Sequence, residues 1–166
     1  QRSPYNAEFI ESDIHHLPAA LHSRFDVALI TIGVLNWMPD LGGFFRVIAG
    51  LLGPGGHLLV YETHPVMEMF DPESDTPHEP AISYFRTDPL KEEGLISYDG
   101  VDHGSGETGY WFIHTLGQIV TSCATAGMTI TSLKEFGYSI REPEYDVYEG
   151  REAQIPMSYL LHARKM

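Results

Sequence analysis

Two apolar segments flank an amphipathic one in the first half of this sequence. The first, Phe25 to Ile32, reads FDVALITI and is apolar and largely β-branched except for one charge near its start. Such a run is typical of a strand buried on both faces, as in a parallel sheet covered by helices. His57 to Thr63, HLLVYET, has a similar character. The pattern predicts two buried strands, preceded by a shorter strand over Ala7 to Ser12.

Between the two buried strands, the apolar positions follow the period of a helix. Asp40 is a suitable N-cap, and Gly53-Pro54-Gly55-Gly56 ends the helix, because glycine permits a left-handed residue and proline cannot continue it. Strand, helix and strand form one βαβ crossover, which implies parallel pairing and places ligands at the carboxyl ends of the strands. The apolar stripe of this helix comprises Phe44, Val47, Ile48, Leu51 and Leu52.

The second half of the chain begins with a long irregular segment. Residues 71–109 are rich in Pro, Gly, Asp and Glu, which predicts a lid or substrate-binding insertion. Tyr110 to His114 then reads as extended, and Thr115 to Gly127 as a capped helix with one apolar face. Met128 to Phe136 and Met157 to Ala163 are predicted to be two closing strands.

Length and charge restrict the possible partners. The 166 residues fit a single domain, with ten Lys and Arg against 23 Asp and Glu, for a formal charge of −13. An acidic surface repels phosphate backbones and anionic lipids, so neither nucleic acid nor a membrane is an expected partner. The single cysteine, Cys123, excludes an internal disulfide and suits a reducing compartment, which predicts a cytoplasmic protein.

Two motifs that suggest chemistry are weak in context. Gly104 to Gly109 matches G-x-G-x-x-G, but the buried strand and the helix that a dinucleotide site needs do not flank it, so a loop is predicted. Nine histidines invite a metal site, yet no H-E-x-x-H pair is present and no metal is predicted. A metal-dependent hydrolase that uses Glu62, His64 and His103 remains an alternative.

Several motifs occur in an order and spacing that resemble a known family. Together they resemble the class I S-adenosylmethionine-dependent methyltransferases, and most closely the bacterial small-molecule type. The motifs are Phe25-Asp26-Val27, the turn Thr31 to Trp37, Leu51 to Leu58 with its Gly-Pro-Gly-Gly, Glu62 to Pro65, Trp111 to Leu116 and the closing strand through Lys165.

The resemblance implies an α/β fold and a cofactor. We expect a Rossmann-like, mostly parallel sheet with a closing antiparallel strand, S-adenosyl-L-methionine as cofactor, and a small-molecule methyl acceptor. The cofactor site would consist of an acidic residue at the adenine amino group, an apolar neighbour on the adenine face, the turn at the methionine portion, and a closing tryptophan. These residues are Asp13, Ile14, Thr31, Ile32, Gly33 and Trp37.

The same resemblance places further residues beside the acceptor. Glu62 and His64 follow the fifth family strand and are the candidate catalytic bases, while Asn36, Tyr84 and His114 are candidate substrate-binding residues. A base is needed only where the acceptor must lose a proton. Structural alternatives remain open: Asp13 can stabilise a turn, Trp37 can anchor the core, and His114 can fix the local chain.

The sequence departs from the family at its start. Nothing before Phe25 resembles the first strand with its glycine-rich loop, or the second strand with its ribose-binding acidic residue, so the chain resembles the C-terminal two thirds of a methyltransferase. We expect Phe25–Ile32 to have an unpaired edge that supports a homodimer, or the first residues to be misplaced. A non-catalytic fragment that dimerises or binds a ligand is therefore the main alternative to an enzyme.

Overall fold

The predicted βαβ crossover is present in the computed structural model, which describes residues 7–93 and 108–166. Strand β1 (Phe25–Thr31) pairs in parallel with strand β2 (Leu52–Thr63), and helix α1 (Leu41–Leu51) connects them. Asp40 caps the helix as predicted, since its carboxylate accepts a 2.9 Å hydrogen bond from the Gly43 amide. This crossover brings the carboxyl ends of β1 and β2 to the same edge of the sheet.

Strand β2 begins earlier than its apolar pattern indicates. Leu52, which was assigned to the helical stripe, is the C-cap of α1 and the first residue of the strand, where it pairs with Phe25. The register then shifts, so that Val27 pairs with His57. The shift accommodates the Gly-Pro-Gly-Gly segment, in which Gly55 has a φ of +78°.

Two further strands, β5 (Met128–Phe136) and β6 (Ser158–Lys165), complete a mixed four-stranded sheet in the order β1-β2-β6-β5. Strand β6 runs antiparallel to β2 on one side and to β5 on the other. Helix α2 (Leu116–Thr125) precedes β5 and begins with a capping box between Thr115 and Gln118. Gly127 ends it with a φ of +86°, as its position predicts.

A separate antiparallel hairpin lies beside the main sheet. Strand β3 (Leu90–Glu93) pairs with β4 (Thr108–Trp111), which covers only the start of the extended segment predicted over Tyr110 to His114. The remainder of that segment leads irregularly into α2. The G-x-G-x-x-G motif lies largely outside the described residues.

Helices α1 and α2 cover one face of the main sheet. Phe45 and Cys123 on the helices, and Leu58, Val60 and Leu161 on the strands, are fully buried between them. Burial raises the pKa of the Cys123 thiol to about 11, which fits a small apolar core residue rather than a nucleophile. On the opposite face, Val27 and Leu29 are 54% and 65% exposed.

The strand predicted over Ala7 to Ser12 is absent. This segment has no regular secondary structure, and the side chain of Phe9 is 88% exposed. A strand requires a hydrogen-bonded neighbour, and β1 is the edge of the sheet within the part of the chain that the structure describes. The prediction was wrong because apolar composition cannot supply that neighbour.

Candidate active site

A buried carboxylate fixes the loop at the carboxyl end of β1. Glu62, near the end of β2, is 2% exposed and accepts hydrogen bonds from three successive backbone amides, those of Gly33, Val34 and Leu35. The N···O distances are 2.6, 2.9 and 3.3 Å. Burial raises the pKa of Glu62, and the amides oppose that shift. Glu62 therefore joins the ends of the two parallel strands.

Gly33 gives this loop its shape. Its φ of +85° lies in the left-handed region, where glycine carries no steric cost. A Cβ at this position would lie 3.5 Å from Cη2 of Trp111, so the loop passes directly against that ring. The glycine thus sets both the direction of the loop and its approach to β4.

Both ring nitrogens of His64 are engaged. The Val66 amide donates to Nδ1 at 3.1 Å, so the ring proton lies on Nε2, which donates to Glu135 at 2.9 Å. Burial lowers the pKa of His64, while the neighbouring Glu135 carboxylate opposes the shift. In these contacts, His64 caps the short 3₁₀ helix Pro65–Met69 and bridges to β5.

Three hydrogen bonds connect the segment after Gly33 to the residues before α2. Asn36 donates from Nδ2 to the Phe112 carbonyl at 3.0 Å and accepts from the Phe112 amide at 2.8 Å. His114 donates from Nε2 to the Met38 carbonyl at 2.8 Å, which leaves Nδ1 as the proton acceptor of the neutral ring. Burial lowers the pKa of His114, so the neutral form is favoured.

One small cavity lies between the loop and the sheet. Its lining includes Asn36, Glu62, His114 and Tyr159. The cavity measures about 10 Å³, close to the space that one water molecule needs. Tyr159 is fully buried, and its hydroxyl has no hydrogen-bond partner among the described residues. Burial raises the pKa of this hydroxyl. No sequence pattern signals Tyr159, because its place opposite Glu62 depends on the register of β6.

A larger opening, here called the aromatic cleft, has a volume of about 500 Å³. Glu68 holds its walls, since its carboxylate accepts from Trp111 Nε1 at 2.9 Å and from an Arg141 guanidinium nitrogen at 3.2 Å. No sequence pattern singled out Glu68 or Arg141. The principal residues that line the aromatic cleft are Trp37, Glu68, Phe70, Trp111, Arg141 and Tyr145.

Comparisons with known proteins identify the fold to which this chain is similar. Residues 1–60 match the family model described as a methyltransferase domain. A structure from Listeria monocytogenes, described as a candidate S-adenosylmethionine-dependent methyltransferase, superposes on the entire chain with a TM-score of 0.70 at 18% identity, and 72% of that protein is covered. The chain has the fold of the class I S-adenosylmethionine-dependent methyltransferases. The predicted resemblance and the predicted α/β fold class are both confirmed.

Two other solved structures have the same methyltransferase fold. An S-adenosylmethionine-dependent methyltransferase from Mesorhizobium loti gives a TM-score of 0.56 at 21% identity, with 93% of this chain and 67% of that protein covered. Geranyl diphosphate C-methyltransferase from Streptomyces coelicolor was solved with Mg²⁺, geranyl diphosphate and S-adenosyl-L-homocysteine. It gives a TM-score of 0.54 at 9% identity, with 93% of this chain and 52% of that protein covered. A search of curated proteins finds no match.

Within the methyltransferase fold, the predicted cofactor residues fall into two regions. Thr31 and Ile32 are exposed at the end of β1, followed by Gly33, and the Trp37 ring meets that of Trp111 edge-on at 5.3 Å. Asp13 lies elsewhere, beside the start of α1. Ile14, next to Asp13, packs against the core.

Asp13 makes the local contacts of a turn. Its carboxylate accepts from the His15 amide at 2.8 Å and contacts His16 Nδ1 at 2.9 Å, which caps the 3₁₀ helix Ile14–His16. The hydrogen bond from the His15 amide lowers the pKa of Asp13, and the contact with His16 lowers it further. The structural alternative considered for Asp13 is therefore present in the fold, whereas its proposed contact with adenine stays a prediction.

Tyr84 anchors the described part of the predicted lid. Its hydroxyl accepts from the Leu116 amide at 3.0 Å, at the first turn of α2, and its ring packs edge-on against Phe85. Residues 94–107 of the lid, including His103 of the alternative metal site, lie outside the described residues. Within 7–93 and 108–166, no group of three metal-binding side chains occurs, and no helix is long and apolar enough to cross a membrane.

Replacing the loop-fixing carboxylate tests its structural role. Glu62→Gln places an amide NH₂ against three backbone donors, and we expect it to lower the free energy of unfolding by about 2 kcal/mol. Glu135→Gln is the matched control, because its amide oxygen still accepts from His64, and we expect a change within about 0.5 kcal/mol. Urea denaturation of both variants checks this. Equal stability of Glu62→Gln and the parent chain would contradict the role.

The neutral state of His114 predicts that the stability of the protein depends on pH. Its pKa in the folded protein is below the ordinary value of 6.5, so as the pH falls through 6.5 the unfolded chain takes up the proton first and stability decreases. His114→Gln can still donate to the Met38 carbonyl but does not titrate. The free energy of unfolding of this variant should therefore fall less steeply on acidification than that of the parent. Parallel pH profiles for the two proteins would refute the assignment.

Proposed function

We propose that this chain supports S-adenosylmethionine-dependent methyl transfer to a small-molecule acceptor. The observation that carries the proposal is the loop at the carboxyl end of β1, which Glu62 fixes through three backbone amides. The resemblance assigns the methionine portion of the cofactor to this turn. The family model over residues 1–60 and the methyltransferase fold of the structural neighbours support the proposal.

The residues of the turn have different roles toward the cofactor in this proposal. Thr31 and Ile32 are accessible and can contact it, whereas the Gly33 amide already donates to Glu62 and so supplies shape rather than a free donor. Trp37 is half-buried beside the turn and supplies an apolar face. When bound, the cofactor would supply a methyl group activated by its sulfonium charge.

The chain's own contribution is to orient the reactants and to exclude water. In the transfer, the acceptor atom forms a bond to the methyl carbon, the sulfur–methyl bond breaks, and its electron pair stays on sulfur as a neutral thioether. An acceptor that is a hydroxyl also loses a proton to a base. Amine or thiolate acceptors with an available lone pair need no base before transfer.

The residues considered as proton acceptors are all engaged in contacts that hold the fold. Glu62 and His64 were the sequence candidates, but their polar atoms are occupied by the loop amides, by Val66 and by Glu135. We propose that these two residues position the site. His114 likewise donates from Nε2 to the Met38 carbonyl, and its ring also interacts with the Leu35 backbone, so the proposal favours an acceptor that needs no base from the chain.

Cofactor binding can be tested at the turn. We expect the chain to bind S-adenosylhomocysteine in calorimetry, and Gly33→Ala to weaken binding about tenfold, because a left-handed alanine costs about 1–2 kcal/mol and reshapes the turn. Gly127→Ala is the matched control: Gly127 has almost the same φ, +86°, and among the described residues no atom beyond its chain neighbours lies within 4 Å of its Cβ position. The proposal would be contradicted if the parent chain did not bind S-adenosylhomocysteine, or if Gly33→Ala and Gly127→Ala weakened its binding equally.

A second candidate, the non-catalytic dimerising module, rests on the outer edge of β1. Phe25, Val27 and Leu29 are exposed by 41%, 54% and 65% on this strand, and within residues 7–93 and 108–166 no strand pairs with the edge. Exposed apolar edges pair readily with other chains. The proposed partner is a second copy, joined edge to edge through β1.

Light scattering distinguishes this candidate. If the chain dimerises through β1, Leu29→Lys should give a monomer at concentrations where the parent is a dimer, because a charged side chain disfavours edge pairing. Leu133→Lys, on β5 at the opposite edge, is the matched control and should leave the dimer intact, since Leu133 is also exposed, by 38%. A monomeric parent chain would exclude this module.

A further inference from the structure

The aromatic cleft has the dimensions and lining of a small-molecule site. Its volume of about 500 Å³ falls within the range typical of ligand pockets. Separate parts of the chain supply its aromatic rings: Trp37 after β1, Trp111 at the end of β4, and Tyr145 in the 3₁₀ helix Pro143–Tyr148. Phe70 adds a fourth ring. A planar ring compound can therefore stack within it.

Polar contacts hold the aromatic walls in place. Glu68 is 9% exposed and links Trp111 to Arg141 through the two hydrogen bonds described above. The Arg141 guanidinium stacks over the Tyr145 ring at 4.2 Å from its centroid and lies 5.9 Å from that of Trp111. The rings are thus oriented before any ligand binds, which lowers the entropic cost of binding.

The charges at the cleft favour a particular class of ligand. Among the described residues that line the cleft, three carboxylates, those of Glu68, Asp71 and Glu142, accompany one guanidinium, that of Arg141. That guanidinium is already paired with Glu68 at 3.2 Å and with Glu142 at 3.4 Å. An anionic ligand would meet net negative charge, whereas a cation would be attracted both by the carboxylates and by the ring faces.

The cleft adjoins the turn assigned to the cofactor. Trp111 lines the cleft, and the tip of its ring lies 3.5 Å from the Cβ position of Gly33. Trp37 also lines the cleft and is part of the segment that follows that turn. A ring that stacks in the cleft against either tryptophan therefore lies next to the turn assigned to the cofactor.

We propose that the aromatic cleft binds the methyl acceptor and selects a planar ring compound that is neutral or positively charged. This inference rests on the proposed methyltransferase function, because only that function makes the ligand an acceptor. The selection comes from stacking against the aromatic rings and from the excess of carboxylates among the described lining residues. Phosphorylated or carboxylated rings are excluded by the same charges.

Tryptophan fluorescence gives a direct measurement of binding. The chain has two tryptophans, Trp37 and Trp111, and both line the cleft. Three probes of the same bicyclic shape separate charge from stacking: 1-methylquinolinium as the cation, quinoline as the neutral ring, and 2-naphthoate as the anion. At neutral pH, the first two should change the emission and bind at least about tenfold more tightly than 2-naphthoate, with calorimetry as an independent measure. Tighter binding of the anion would overturn the proposal.

Variants of Tyr145 locate the bound probe. Tyr145→Leu removes the ring and should weaken 1-methylquinolinium binding about fivefold or more, whereas Tyr145→Phe keeps the ring and should retain it. Tyr110→Leu is a second control, because Tyr110 precedes Trp111 on β4 but does not line the cleft. Equal effects of the Tyr145→Leu and Tyr110→Leu substitutions would overturn the location.

Titration with S-adenosylhomocysteine separates this inference from the proposed function. If S-adenosylhomocysteine binds but none of the ring probes does, the cleft proposal fails and the methyltransferase proposal stands. If the cationic and neutral probes bind but S-adenosylhomocysteine does not, the cleft is a ligand site and its role as acceptor site is overturned. Binding of both supports the full proposal.

Discussion

The site depends on one buried carboxylate and the amides that surround it. A carboxylate with 2% exposure is strongly destabilising unless its oxygens are hydrogen-bonded, and the three amides after β1 provide those bonds. Because Glu62 belongs to β2 and the amides to the loop after β1, the contact joins the carboxyl ends of both parallel strands. It converts the loop, which would otherwise lack a regular hydrogen-bond pattern, into a fixed element.

Further contacts extend outward from that loop. Asn36 and His114 bind it to the segment before α2, and Gly33 presses it against Trp111. Trp111 in turn shares Glu68 with Arg141, so the cleft wall and the loop belong to one connected set of contacts. A displacement of the loop would therefore alter both the small cavity at Tyr159 and the aromatic cleft.

The sequence predicted the strands and helices of the fold better than the contacts of the site residues. Apolar runs and their period located both strands of the crossover, their helix, its cap at Asp40 and the glycine that ends α2, because these features depend on local residues. The strand over Ala7 to Ser12 failed because pairing requires a neighbour that composition does not reveal. Leu52 was misassigned for a related reason, since a helical stripe and a following strand share the same apolar residues.

The site residues illustrate the same limit. Glu62 and His64 were located at the correct edge of the sheet, but their contacts were not foreseen. The bond from Gly33 to Glu62 spans 29 residues, and those from Trp111 and Arg141 to Glu68 span 43 and 73. Contacts at such separations follow from the packing of distant elements, so no motif signals them.

One consequence of the one-sided pairing of β1 concerns its backbone. Within the described sheet, β1 has a hydrogen-bonded neighbour only in β2, so successive amides along the strand point alternately toward β2 and away from it. In deuterated water, the inward amides should keep their protons while the outward ones exchange. The strand would thereby carry an alternating isotopic label, and the loss of that alternation would mark the moment when any neighbour adds to the edge.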